Sequence, residues 1–341
     1  MTPVLNRRLL FTEEPIGRYP TPGKTTTYDA TQEIDIDNVA LNGGFLVKTL
    51  VLSIDPYIKG RMHAANAHLP TYALGKPLDS YGIGVVIRSE NPDIKVGDHL
   101  YGSCSFEEHF IRNRASDYLV LENKENLPWS LYVGAIGLPG QTAYSGWKEH
   151  ANPKKGEVAF VTAGAGGVGS LIVQLAKRDG LKVIASAGTD EKVGFLKDLG
   201  ADVAFNYKTS DTLENLKKEG PIDIYWDNVG GQSLEAALAT ANTKARFIEC
   251  GMISGLTSEP YLVKNLMNII IKQITISGFL VNTLFPKHKK AFYAELPALF
   301  ASGELKYKED ATNGLEEATE ALVAVLKGAS NGKGVVLVGK E

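Results

Sequence analysis

The chain has 341 residues, enough for about two domains, with the 44% hydrophobic and 22% charged content of an ordinary globular protein. A net charge of −3 without a basic run argues against a nucleic acid or another polyanion as partner. Two distant cysteines, Cys104 and Cys250, exclude a disulfide framework or a cysteine-rich zinc site, and no apolar run reads as a signal peptide or membrane span. The expected address is therefore reducing and cytoplasmic, with no membrane partner.

In chain order, the first 133 residues hold short apolar runs broken by Gly, Pro, Asn and Asp. Gly44–Leu52, Tyr81–Arg88, His99–Tyr101 and Glu108–Ile111 read as strands, dense enough for an antiparallel barrel or sandwich. Residues 134–303 alternate strands and helices. The strand candidates are Val158–Ala163, Lys182–Ser186, Val203–Asn206, Ile222–Asp227, Arg246–Gly251 and Ile274–Phe279. Glu191–Leu199 and Gly231–Ala241 are helices between them, and His288–Ser302 is a closing helix. This alternation predicts an α/β fold with a doubly wound, parallel, six-stranded dinucleotide-binding (Rossmann) sheet. The tail, residues 304–341, offers Lys306–Glu309, a helix near Leu315–Lys327 and a strand Gly334–Val338. A strand there needs a partner, and the N-terminal β domain is the simplest one, making that domain discontinuous (1–133 with 304–341).

The tract from Ala159 to Lys177 reads strand, glycine-rich turn, amphipathic helix. Gly164, Gly166 and Gly169 fit G-x-G-x-x-G: a tight turn, close approach of backbone to a pyrophosphate, and close helix–strand packing. Val168, Leu171, Ile172 and Leu175 fall at i, i+3, i+4, i+7, as a buried helix face requires. The alternative is a tight turn without a ligand. The second strand ends at Ser186–Ala187–Gly188 with no carboxylate at its tip to accept from a ribose 2′-hydroxyl. Asp190 and Glu191 read as acids of the following helix's first turn, and Lys192 is within reach of a 2′-phosphate, unless it is only a solvated helix face. The reading is NADP(H) rather than NAD(H).

Seven tracts in order resemble the zinc-independent medium-chain dehydrogenase/reductases, above all the prostaglandin/leukotriene reductase and plant alkenal double-bond reductase branch. They are LSIDPYIKGRM (Leu52–Met62), GLPGQTAY (Gly137–Tyr144), AGAGGVGS (Ala163–Ser170), SAGTDEKV (Ser186–Val193), FNYK (Phe205–Lys208), DNVGG (Asp227–Gly231) and GFLV (Gly278–Val281). The resemblance implies a GroES-like β domain beside the dinucleotide-binding one, and commonly a homodimer, for which an edge strand of the cofactor domain would offer the surface. It implies Tyr57 as the active-site hydroxyl facing the nicotinamide, to hydrogen-bond a carbonyl or enolate or to relay a proton; the other reading is a core tyrosine. Implied cofactor contacts are Thr142, the turn residues Gly164, Gly166, Gly167, Val168 and Gly169, then Gly188, Lys192, Tyr207, Asn228, Cys250, Phe279, Leu280 and either Ser330 or Asn331. Met252, Phe279 and Phe285 are candidates for an apolar substrate pocket, or ordinary core.

Zinc-dependent relatives carry Gly-His-Glu before the tract that here reads GIGVV (Gly82–Val86); this chain has Asp79–Ser80–Tyr81 instead. Its six histidines show no ligand spacing with cysteine, so no metal is expected. Without a Lewis acid, the chemistry tilts to reducing an activated alkene. A second tyrosine that prostaglandin reductases place after the fifth strand is missing; Gly255 and Leu256 stand there. The reading is an NADPH-dependent enone/enal reductase. The alternatives are a quinone reductase of the same superfamily or a non-catalytic NADPH-binding protein.

Overall fold

The computed structural model describes residues 3–63, 70–259 and 261–341; one of the six histidines, His68, lies outside them. The chain forms two compact units, residues 1–137 with 309–341, and residues 138–308. Elements relevant to the site are, in chain order, β1 (Phe45–Ser53), α1 (Tyr57–Arg61), β2 (Asp79–Ser89), β3 (His99–Ser105), β4 (His109–Arg112) and β5 (Tyr118–Val120). The second unit follows: α2 (Leu138–Gly146), β6 (Val158–Val161), α3 (Gly169–Arg178), β7 (Lys182–Ala187), α4 (Asp190–Asp198), β8 (Val203–Asn206) and α5 (Thr212–Glu219). It continues through β9 (Ile222–Asp227), α6 (Gly231–Thr240), β10 (Ala241–Glu249), α7 (Met267–Ile271), β11 (Thr275–Gly278) and α8 (Val281–Ala301). The chain then returns to the first unit with β12 (Glu309–Asn313), α9 (Ala318–Leu326) and β13 (Lys333–Leu337).

The first unit is built on a seven-stranded sheet in the order β5-β3-β2-β1-β13-β12, with β4 also paired to β1. The C-terminal strand β13 runs antiparallel to β1, Val335 opposite Ser53 and Leu337 opposite Val51. Alternate residues of these strands and one face of α9 close a core containing Phe45, Val47, Leu52, Leu100, Phe110, Leu322 and Val336. Tyr57 packs against that core's margin.

The second unit carries a parallel sheet in the order β8-β7-β6-β9-β10-β11. The order reverses between β6 and β9, and ligands of such sheets bind outside the strand carboxyl ends at that switch point. Phe160, Tyr225 and Phe247 are register partners on β6, β9 and β10. Their rings form a row, 5.3 and 5.0 Å between successive centroids, closed by Leu216, Leu234, Ala237 and Leu238 from α5 and α6. Strands apolar on both faces fit between two helix layers, which is why they appear as continuous apolar runs.

Candidate active site

The glycine-rich turn joins β6 to α3. Its left-handed residue is Ala163 (φ 47°), and none of the three motif glycines has a positive φ. The tight turn assigned to Gly164 from sequence is thus carried by its neighbour, and Gly164 serves packing. A Cβ there would stand 2.8 Å from the Leu196 side chain and 3.2 Å from Ala185. At Gly169 it would stand 2.4 Å from the Ala163 carbonyl oxygen, so α3 approaches the turn as closely as a bare Cα permits. Among the described residues, the N–H groups of Gly167 and Val168 make no hydrogen bond within the protein. They precede the N-terminus of a ten-residue helix, where unpaired donors and the helix dipole favour a phosphate.

At the tip of β7 the Ser186 carbonyl accepts from the Gly164 N–H (2.9 Å), tying this strand end to the turn. Thr189 caps α4, its hydroxyl accepting from the Lys192 N–H. The two acids are engaged elsewhere: Asp190 accepts from Asn206 Nδ2 (2.8 Å), and Glu191 pairs with Lys308 (2.9 Å). A Cβ on Gly188 would stand 3.1 Å from the Tyr207 hydroxyl and 3.3 Å from Lys208 Cε. Gly188, Tyr207 and Lys208 therefore converge beside the helix that carries Lys192. Lys208 was missed by the sequence reading, although it closes the FNYK tract.

Asn228 follows β9 directly. Its Nδ2 donates to the Thr162 carbonyl (2.7 Å), its Oδ1 accepts from Trp226 Nε1 (3.1 Å), and its N–H donates to the Thr162 hydroxyl (2.9 Å). The amide is held rigidly, with one N–H still to give. Thr142, on α2, donates its hydroxyl to the Leu138 carbonyl (2.7 Å). Cys250 gives its N–H to the Asp227 carbonyl (3.0 Å). Burial, then the charges of Asp227 and Glu249, pushes its thiol up to about 12, so it is no nucleophile. The Leu280 carbonyl is taken by the Thr283 N–H and hydroxyl (3.0 and 2.7 Å).

The three apolar pocket candidates occupy different surroundings. Phe279 packs on Trp226 and His150 (5.9 and 5.6 Å between centroids), Phe285 on Phe292 and Tyr293 (5.4 and 6.0 Å), and Met252 covers Gly230. Met252 is 52% exposed and Leu280 71% exposed. The sequence pattern marked each as apolar but carried no information on what each one meets.

Tyr57 opens α1 in the first unit. Its hydroxyl oxygen accepts from the Tyr81 N–H (3.3 Å), which leaves the phenolic O–H to donate. Burial, and then the charge of Asp55, raises its pKa well above the ordinary value, so the phenol is neutral throughout the physiological range. Two networks fix its helix. Asp55 is paired to buried Lys333 (3.1 Å) and accepts from the Ser53 hydroxyl (2.5 Å), while Lys333 donates to the carbonyls of Ile54 and Gly334 (2.6 and 2.9 Å). Arg61 grips Asp79 bidentately (2.8 and 2.9 Å) and lies over the Tyr72 ring. Sequence reasoning missed Asp55, Arg61, Asp79 and Lys333; the signal was that the first two lie inside LSIDPYIKGRM and Lys333 ends GASNGK. Ser330 and Asn331 also belong to this unit: Ser330 Oγ reaches the Gly332 carbonyl (3.5 Å), and the Asn331 N–H donates to Asp310 (2.8 Å).

Residues 167–300 match the family profile described as "Zinc-binding dehydrogenase", and residues 25–119 that of "N-terminal domain of oxidoreductase". The 2-alkenal reductase (NADP(+)-dependent) of Nicotiana tabacum is 39% identical over 329 residues, 93% of this chain and 95% of that protein. The (+)-pulegone reductase of Mentha piperita is 41% identical over 307 residues, 88% of this chain and 89% of its own. The chain belongs to the zinc-independent medium-chain dehydrogenase/reductases. Another member of known structure, CurA of Vibrio vulnificus in complex with NADPH, is 30% identical, with a TM-score of 0.88 over 98% of this chain and 100% of CurA. The profile's name mentions zinc, but where zinc-dependent members of the family place a histidine ligand this chain has Asp79–Ser80–Tyr81. Asp79 is committed to Arg61 and to the Ser103 hydroxyl (2.8 Å). Among the described residues, no cluster of three His, Cys, Asp or Glu could hold a metal ion.

Proposed function

We propose that this chain is an NADPH-dependent reductase of the C=C bond of α,β-unsaturated ketones and aldehydes. The observation that carries the reading is its near-full-length identity with the tobacco alkenal reductase and the mint pulegone reductase, which between them act on an aldehyde- and a ketone-activated alkene. NADPH, when bound, supplies hydride to the β-carbon, and a proton then completes the α-carbon. The free N–H groups of Gly167 and Val168 hold the pyrophosphate, and Lys192, Lys208 and Tyr207 take the 2′-phosphate. Asn228 offers its remaining amide N–H to the nicotinamide-side ribose. The neutral O–H of Tyr57 donates to the carbonyl oxygen, on which enolate charge accumulates.

Thr142, Phe279 and one of Ser330 or Asn331 complete the proposed cofactor contacts. Cys250 and Leu280 contribute only by shaping the backbone around them. A cytoplasmic address is supported by the two free cysteines. A homodimer is supported by the exposed edge strand β11 and its apolar surroundings. Among the described residues no helix is long and apolar enough to cross a membrane.

The test is NADPH oxidation with 3-nonen-2-one, a 2-alkenal and a quinone. Saturated ketone and aldehyde products, with slower quinone turnover, are expected. Quinone reduction without alkene turnover establishes the quinone reductase, and tight NADPH binding without turnover of any substrate establishes the non-catalytic binder.

A further inference from the structure

At the carboxyl end of the parallel sheet, Asp227 and Glu249 are direct register partners on neighbouring strands β9 and β10. Equal register on parallel strands sends both side chains to the same face, as close neighbours. Tyr225, two residues earlier on β9, shares that face. Asp227 and Tyr225 are fully buried, and Asp227 Oδ2, both Glu249 carboxyl oxygens and the Tyr225 hydroxyl are sealed from solvent without a standard donor–acceptor partner. Neither carboxyl forms a salt bridge among the described residues. Two buried carboxylates at this separation cannot both be ionised.

The two oxygens of Asp227 face different surroundings. Oδ1 accepts from the N–H groups of Val229 and Gly230 (both 2.8 Å) and from the Thr162 hydroxyl (3.2 Å). Three donors stabilise charge there, whereas Glu249 has none. Burial, and then the charge of Asp227, pushes Glu249 up to about 8. The other titratable groups acting on the pair are Tyr225 and Cys250, both held neutral by burial. The turn that Oδ1 holds contains two consecutive left-handed glycines, Gly230 (φ 74°) and Gly231 (φ 60°), and it carries Asn228. Glycines adopt such angles readily but do not enforce them, so the Asp227 bonds set this conformation.

We propose that Asp227 and Glu249 share one proton, carried by Glu249, and that this proton keeps the Asp227–Gly230 turn in its cofactor-binding form, so that affinity for NADPH falls when it leaves. Glu249 is thus a positioning residue acting through Asp227. The inference rests on the reading that Asn228 and its turn border the cofactor.

The experiment is a fluorescence titration of the full chain with NADPH between pH 7 and 9, where the 2′-phosphate, with a second pKa of about 6, is already about nine-tenths ionised or more. If only the protonated form binds, a group titrating near 8 raises the apparent Kd about tenfold over this range, and Glu249→Gln, which keeps a donor but cannot ionise, stays within about twofold. A flat wild-type profile, or an equal rise in Glu249→Gln, overturns the coupling. Infrared spectra of the wild type at pH 7 test the shared proton directly. A protonated-carboxyl band that Glu249→Gln removes supports it, and its absence overturns it. A band present with flat affinity overturns the coupling alone, and places the failure in the reading of the turn as cofactor-bordering. Unfolding adds a check that needs no cofactor. Because folding raises the pKa of Glu249, the wild type loses stability as pH rises from the unfolded value, about 4.5, to about 8, and Glu249→Gln shows a smaller fall.

Discussion

At the residue scale, coenzyme choice in the proposed site comes down to which charges meet at the tip of β7. Asp190 and Glu191 are drawn off by Asn206 and Lys308, and Lys208 stands beside Gly188 while Lys192 rides on the first turn of α4. A charge-assisted bond from lysine to phosphate contributes about 1.5–3 kcal/mol. Lys192→Ala and Lys208→Ala should therefore each raise the KM for NADPH about tenfold or more and leave that for NADH nearly unchanged. An unaltered NADPH value removes that lysine from the site. Tyr57 is argued in the same way. Its raised pKa makes it a poor source of a full proton and a persistent hydrogen-bond donor, so in the proposed site its work would be to stabilise oxyanion charge. Removing one such donor costs about 10²–10³ in kcat. Tyr57→Phe should show that loss in steady-state rates with an unchanged circular dichroism spectrum, and a drop below about threefold would return Tyr57 to a packing role.

At the element scale, the parallel sheet was legible because its central strands are buried on both faces and read as continuous apolar runs. Val203–Asn206 and Ile222–Asp227 match their expected bounds. Misreadings fall where composition contradicts conformation. β10 begins at Ala241, five residues before the expected Arg246, because polar Asn242–Lys244 looks like a loop while the backbone already extends beside Ile222. α8 begins at Val281 rather than His288, because Pro286 suggests a break, whereas the helix runs through it and through Pro297. The tail strand expected at Gly334–Val338 is β13 (Lys333–Leu337), whereas β12 (Glu309–Asn313) was not read as a strand, since an acidic, polar edge strand carries no apolar alternation. The glycine turn was readable as a motif, yet the duty of each glycine was not, because Leu196 and Ala185 come from elements the motif does not contain. The same holds for the support of Tyr57: Lys333 and Asp55 are 278 positions apart in sequence, and only the pairing of β13 with β1 brings them together.

At the scale of the whole molecule, the outer edge of the parallel sheet needs a cover. β11 is the last strand of that sheet, and its free side presents backbone groups that no strand among the described residues pairs. In the same unit Leu262 (80%), Met267 (63%), Ile270 (73%) and Ile271 (67%), all within fifteen residues of β11 in sequence, and Ile276 (39%) on β11 itself are exposed. An exposed flat edge flanked by apolar surface is an aggregation hazard unless a partner covers it. A second copy is the simplest partner, because a two-fold axis beside β11 sets each edge antiparallel to its own image and buries both patches at once. A stable interface of this kind removes roughly 1,200 Å² or more from water. Sedimentation equilibrium should accordingly give the mass of two chains. Ile276→Lys, at a partly exposed position of this edge strand, sets two like charges against each other across the axis and should shift the mass toward one chain with little change in the circular dichroism spectrum. A wild type that sediments as one chain at micromolar concentration would mean that the edge is protected in some other way.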